Sequence, residues 1–249
     1  MKMTLLIILA ALLSGCANKP KNTPFVGPEL SVIKLIPALK PPKIKIEEEK
    51  PIGEAIAEKP GIVHIKFKGI IGYTVGTGFF VIHNNNKYLL TAGHNIGLAK
   101  KMSVFRNSGA IKVNILKYKT ASDADLVAFL VETAEPCFEL EDPKIFDGIP
   151  DYGDLYKPGK YKTIKIDAYG YPSEWHFRKI TGSIYQTVFG GKFLVSTGKC
   201  EGGMSGGPWF NKENNKIVAV HAVQLANSSG GVPVGKIIKL LDGFKGEKK

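Results

Sequence analysis

A serine, a histidine and an aspartate stand in settings that suit acyl transfer. Ser205 lies in the stretch Glu201-Gly202-Gly203-Met204-Ser205-Gly206-Gly207-Pro208. Glycines on both sides leave no Cβ in the way of a substrate carbonyl and admit the positive φ angles of a tight turn. A serine hydroxyl is a weak nucleophile near neutral pH, so the chemistry needs a base to take its proton and a carboxylate to hold that base. His94 closes Tyr88-Leu89-Leu90-Thr91-Ala92-Gly93-His94, an apolar strand that runs into a turn of small residues. Asp123 and Asp125 lead into Leu126-Val127-Ala128-Phe129-Leu130, and both are candidates for the orienting carboxylate. His64, His83 and His176 match no site motif and are assigned to surface or packing. No His, Cys or carboxylate cluster shows the spacing of metal ligands, so neither a metal nor a cofactor is expected.

The elements that must position these groups read as short strands. Residues 61–67 alternate apolar and polar side chains, as a half-buried strand does. Residues 77–82 and 87–90 form two more, joined by the turn-prone Asn84-Asn85-Asn86, and this hairpin delivers His94. Strands near 102–105, 111–118 and 126–130 complete a first unit. A polar, proline-containing connection over 132–159 separates it from a second set near 162–172, 179–185, 193–196, 207–210, 217–221 and 232–234. A short helix over 236–241, apolar at Ile237, Ile238, Leu240 and Leu241, is expected to cap that second unit.

The order His, Asp, Ser resembles the chymotrypsin-fold serine peptidases, particularly their bacterial glutamyl-endopeptidase and trypsin-like branches. It is carried by Leu89-Leu90-Thr91-Ala92-Gly93-His94-Asn95, Asp123-Ala124-Asp125-Leu126-Val127-Ala128-Phe129 and Gly202-Gly203-Met204-Ser205-Gly206-Gly207-Pro208, with Gly76-Thr77-Gly78-Phe79-Phe80-Val81 and Gly170-Tyr171-Pro172 in support. The resemblance covers about residues 61–241. It implies an all-β fold of two six-stranded antiparallel β-barrels, about 61–135 and 160–235, closed so that strand edges are not exposed. It also implies roles: Ser205 as nucleophile, His94 as base, and Asp125, which immediately precedes the hydrophobic strand, as the carboxylate that orients it. Asp123 would cap the turn. The backbone amides of Gly203 and Ser205 would form the oxyanion hole. Met204 departs from the animal branch, where an aspartate at this place pairs with a new amino terminus, so that activation switch is not expected. By the same resemblance Lys199 and Cys200 fall at the primary specificity pocket, and His221 falls where glutamyl endopeptidases meet an acidic side chain. Against an acidic preference stands the reading in which Lys199 points to solvent and His221 is core.

The chain of 249 residues is long enough for one large all-β domain. Its formal charge of +12 favours anionic surfaces, but no nucleic-acid motif accompanies the charge and no polynucleotide partner is expected. Lys2 followed by the apolar run Leu5 to Leu13 reads as an export signal, too short to span a bilayer comfortably. It ends in Leu13-Ser14-Gly15-Cys16, which resembles the lipobox of bacterial lipoproteins and implies removal of residues 1–15 and lipidation of Cys16. Ala17 then implies the periplasmic face of the outer membrane in a cell with two membranes, and the outer face of the cell membrane otherwise. Residues 16–60, rich in lysine and proline, read as an extended tether, and residues 242–249 as a basic tail. Cys137 and Cys200 are expected to be unpaired thiols.

Two functions compete. One is a membrane-anchored serine endopeptidase acting on a polypeptide substrate, with an acidic preference as its finer form. The other is an envelope lipoprotein that uses a peptidase-like fold as a binding module and performs no chemistry.

Overall fold

A computed structural model describes residues 57–69, 72–97, 101–151, 162–173, 176–188, 190–225 and 227–244. The expected signal segment, Cys16, nearly all of the tether and residues 245–249 of the tail lie outside these residues.

The first sheet is antiparallel. Its strands are β1 (Ile62–Lys68), β2 (Tyr73–His83), β3 (Asn86–Thr91), β4 (Lys101–Arg106), β5 (Gly109–Ala110), β6 (Asn114–Thr120) and β7 (Val127–Glu132), in spatial order β5-β4-β1-β2-β3-β7-β6. The β2–β3 hairpin turns on Asn84 and Asn85, whose φ angles of 48° and 61° are the left-handed pair a two-residue turn requires and asparagine tolerates. That turn sets the register Phe80 to Leu89 and Phe79 to Leu90, and so aims the end of β3 at the site.

The second sheet is the closed six-stranded barrel that the resemblance implied. It consists of β8 (Ile164–Ser173), β9 (His176–Val188), β10 (Phe193–Ser196), β11 (Pro208–Asn211), β12 (Ile217–Gln224) and β13 (Ser229–Pro233), ordered β10-β13-β12-β11-β8-β9. The first sheet departs from the expected closed six-stranded barrel in two respects: it has a seventh, two-residue strand, β5, paired with β4, and among the described residues its order runs from β5 at one edge to β6 at the other without closing.

Three cores follow from this layout. Val63, Ile65, Phe67, Phe80, Leu89 and Phe129 fill the first sheet. Ile164, Ile166, Leu194, Met204, Trp209 and Val218 fill the closed barrel. The third joins them, with Phe79, Val81 and Leu90 from one sheet against Phe210, Ile217 and Val220 from the other. The inter-sheet connection is itself stitched to both sides: Phe138 donates to Phe80 O at 2.8 Å, and Glu141 donates to Ile217 O at 2.9 Å.

The last strand stops at Pro233, and Val234 begins helix α1 (Val234–Asp242), two residues earlier than the sequence pattern suggests. Proline is suited to a helix boundary because it has no backbone N–H to lose. Val234, Ile237 and Leu241 are buried on one face, and Phe244 beyond the helix meets Tyr88 of β3 at 5.2 Å between centroids. The helix therefore fastens the two sheets together, where the sequence suggested a cap on the second alone.

Candidate active site

Strand register brings His94 and Asp125 together. Thr91, the last residue of β3, pairs with Val127, the first of β7, so the residues just beyond Thr91 meet those just before Val127. His94 sits there on a single 3₁₀ turn, Gly93–Asn95. Its main-chain N–H donates to Asp125 Oδ1 at 2.8 Å, and its Nδ1 lies 2.6 Å from Asp125 Oδ2. A carboxylate can only accept, so Nδ1 carries the hydrogen and the neutral ring keeps Nε2 as an acceptor. Asp123, expected to cap the turn, directs its carboxylate to Lys236 of α1 at 2.5 Å and to Lys239 at 3.7 Å. The Lys236 ammonium holds its pKa below the ordinary value.

Ser205 is set against the same turn through the main chain. Its carbonyl accepts from Thr77 N at 2.8 Å and from the side-chain amide of Asn95 at 2.9 Å. Gly206 makes this approach feasible: it has φ of +88°, and a Cβ there would fall 2.1 Å from Thr77 O and 2.2 Å from Thr91 Oγ1. Gly203 has φ of +89°, with Tyr171 O only 2.6 Å from where its Cβ would be. The amides of Met204, Gly206 and Gly207 are spent on Glu201 O, His221 O and Met204 O. Those of Gly203 and Ser205 have no hydrogen-bond partner among the described residues, which leaves two donors in the one turn that also carries the serine hydroxyl.

Two residues that the sequence reading passed over hold this arrangement. Thr77 uses every polar atom: its hydroxyl donates to Gly203 O at 3.0 Å and accepts from Tyr171 N at 2.9 Å, while its carbonyl accepts from Thr91 Oγ1 at 2.7 Å. Asn95 donates to Thr91 Oγ1 at 3.0 Å as well as to Ser205. The available signals were the Gly-Thr-Gly string around Thr77 and the amide immediately after His94; neither string states a partner.

The three expected pocket residues differ in exposure. Lys199 is exposed. Cys200 is 1% exposed, packed in the closed barrel, and burial pushes its thiol up to about 11. His221 is 2% exposed and lies near-parallel to Trp209 at 6.1 Å. Burial, and then the neighbouring His94, bring its pKa down to about 3, so it is neutral at ordinary pH. Met204, the atypical residue beside the serine, is 1% exposed and contributes to the same barrel core. Cys137 and Cys200 are both free thiols.

A family model described as the trypsin-like peptidase domain matches residues 76–220, more than half of the chain. The chain belongs to this family. The trypsin-like peptidase domain so matched contains His94, Asp125 and Ser205, whereas the lead-in residues, β1 and α1 lie outside the match. The fold is similar to that of the Rv3671c protease from M. tuberculosis in its active form, with TM-score 0.54, 17% identity, and 74% of this chain and 80% of that one covered. It is similar also to a serine endoprotease from Yersinia pestis, with TM-score 0.56 and 17% identity over 74% of this chain and 62% of that one. No curated protein sequence matches the chain.

Proposed function

We propose that this trypsin-like peptidase domain is a serine endopeptidase in which Ser205, His94 and Asp125 act as a triad. The observation that carries the reading is the two-point seat of His94 on Asp125, at 2.6 and 2.8 Å, beside a turn that holds a serine and two unengaged amides. Ser205 Oγ attacks the substrate carbonyl carbon while His94 Nε2 takes its proton, and the Asp125 carboxylate steadies the imidazolium that forms. The carbonyl oxygen, now an oxyanion, accepts from Gly203 and Ser205 N–H, an interaction worth roughly 2.7–4 kcal/mol of barrier per donor. Collapse expels the amine, which takes the proton from His94. Water, activated by the same base, then frees the acyl group from Ser205.

The finer reading places the enzyme on a bacterial envelope through lipid on Cys16. It is supported by the signal-like segment and the Leu13-Ser14-Gly15-Cys16 string, with each buried lipid methylene contributing on the order of 0.8 kcal/mol. An acidic preference beside the scissile bond would draw on Lys199, an exposed cation, and on His221, whose buried, neutral ring has an Nδ1 with no hydrogen-bond partner among the described residues.

Labelling by a fluorophosphonate at Ser205, abolished in Ser205→Ala, tests the chemistry. A binding module would neither label nor cleave any member of a peptide library. The same library reads the preference, and metabolic incorporation of palmitate, lost in Cys16→Ser, tests the anchor.

A further inference from the structure

The residues just ahead of β1 are bound to the site from behind. Tyr171 OH donates to Glu58 Oε1 at 2.6 Å, and the same oxygen accepts from Asn107 N, in the turn between β4 and β5, at 2.8 Å. Glu58 thus spans the two sheets, with β8 on one side and the β4–β5 turn on the other. Lys59 anchors the segment: its Nζ donates to Asn215 Oδ1 at 2.6 Å and sits 3.7 Å from the Phe210 centroid and 5.0 Å from that of Tyr169. A cation so placed on aromatic faces is held firmly once partly desolvated.

Tyr171 is 1% exposed, and its ring lies between His64 at 5.8 Å and Phe177 at 5.1 Å. Its main chain forms a wall of the turn that carries the two unengaged amides. Tyr171 O and Pro172 O lie 2.6 and 2.8 Å from where a Gly203 Cβ would stand, and Tyr171 N donates to Thr77 Oγ1, which itself donates to Gly203 O. Hydroxyl, ring, peptide and Gly203 form one short path.

We propose that Glu58 is a positioning residue for the oxyanion turn, acting through the Tyr171 hydroxyl, so that docking of the segment ahead of β1 is part of the competent site. The inference rests on the triad reading. Donors aimed at an oxyanion act only when correctly placed, and displacement by about 1 Å costs on the order of 10²-fold in rate. Losing one anchor of Tyr171 should produce a fraction of that loss.

The test uses the full chain extracted in detergent and measures the second-order rate of fluorophosphonate labelling at Ser205, alongside Tm. Glu58→Ala and the nearly isosteric Tyr171→Phe are each expected to slow labelling about tenfold. Their double variant is expected to be no slower than the worse single, because the bond lost in Tyr171→Phe is already lost in Glu58→Ala. Glu58→Gln keeps an acceptor for the tyrosine and should restore labelling to within about twofold of the parent. Parent-like rates in both Glu58→Ala and Tyr171→Phe overturn the proposal, and so does a Glu58→Gln as slow as Glu58→Ala. A parent chain that does not label at all overturns the triad reading, and this inference with it.

Discussion

The side chain of Asn95 holds the peptide of Ser205: its Nδ2 donates to Ser205 O at 2.9 Å and to Thr91 Oγ1 at 3.0 Å. With Thr91 bonded to Thr77 O, and Thr77 N to Ser205 O, these contacts make a closed ring across β2, β3 and the serine turn. The residue following the histidine therefore fixes the backbone of Ser205, the proposed nucleophile. Asn95 is 2% exposed, so its loss takes one donor from each of two buried oxygens and leaves a cavity among them. Asn95→Ala is expected to lower stability by about 1–3 kcal/mol and to slow Ser205 labelling by more than about tenfold, read by denaturant titration and by labelling kinetics.

Neighbouring aspartates should behave in opposite ways. Asp125→Asn exchanges the acceptor of the His94 Nδ1 hydrogen for a group that can present a donor, which favours the wrong tautomer, and turnover should fall about 10⁴-fold. Asp123→Asn removes only contacts with Lys236 and Lys239, made by a side chain 37% exposed. It should leave turnover unchanged and shift stability by less than about 1 kcal/mol. Steady-state rates on one peptide, with Tm as control, decide between the two positions.

Gly203→Ala places a methyl group against Tyr171 O at a φ of +89°, a conformation costing an L-residue roughly 1–2 kcal/mol before any clash. The peptide will rotate to escape both, moving an oxyanion donor. A loss of about 10²-fold or more in kcat with little change in KM is expected.

His221 should make stability depend on pH. Its folded pKa is depressed from 6.5 to about 3 by burial, so the unfolded chain binds a proton that the folded chain refuses. Above the unfolded value neither state is protonated there and stability is undiminished. As pH falls through the window from 6.5 to about 3, this one group removes up to about 1.4 kcal/mol per pH unit. Urea titrations across that window should have this slope flattened in His221→Leu, while above it the two proteins should change in parallel with pH.

Much of the scaffold was legible because strands declare themselves locally. Alternation at 61–67, the asparagine turn at 84–86 and the run 217–221 correspond to β1, the β2–β3 hairpin and β12. β10 spans Phe193–Ser196 as the pattern indicated. The C-terminal helix was located but its neighbour was misjudged, because an apolar helix face does not record which apolar surface covers it. The surroundings of the pocket residues were the least legible: the resemblance offered Lys199 and His221 together, and only their places in the folded chain leave one exposed and the other buried.

Sequence alone determined the residue types able to do chemistry, their order along the chain and the periodicities that make strands beside them, since these depend on near neighbours. The resemblance already singled out Asp125 over Asp123, and the structure places it against His94; only the folded structure decided that Asn95 reaches a carbonyl 110 residues away, and that Glu58 reaches a hydroxyl 113 residues away. Hydrogen bonds across such separations depend on the registers of two sheets and on how those sheets are docked. That docking is set by the sum of many apolar contacts, which no single stretch of the chain contains.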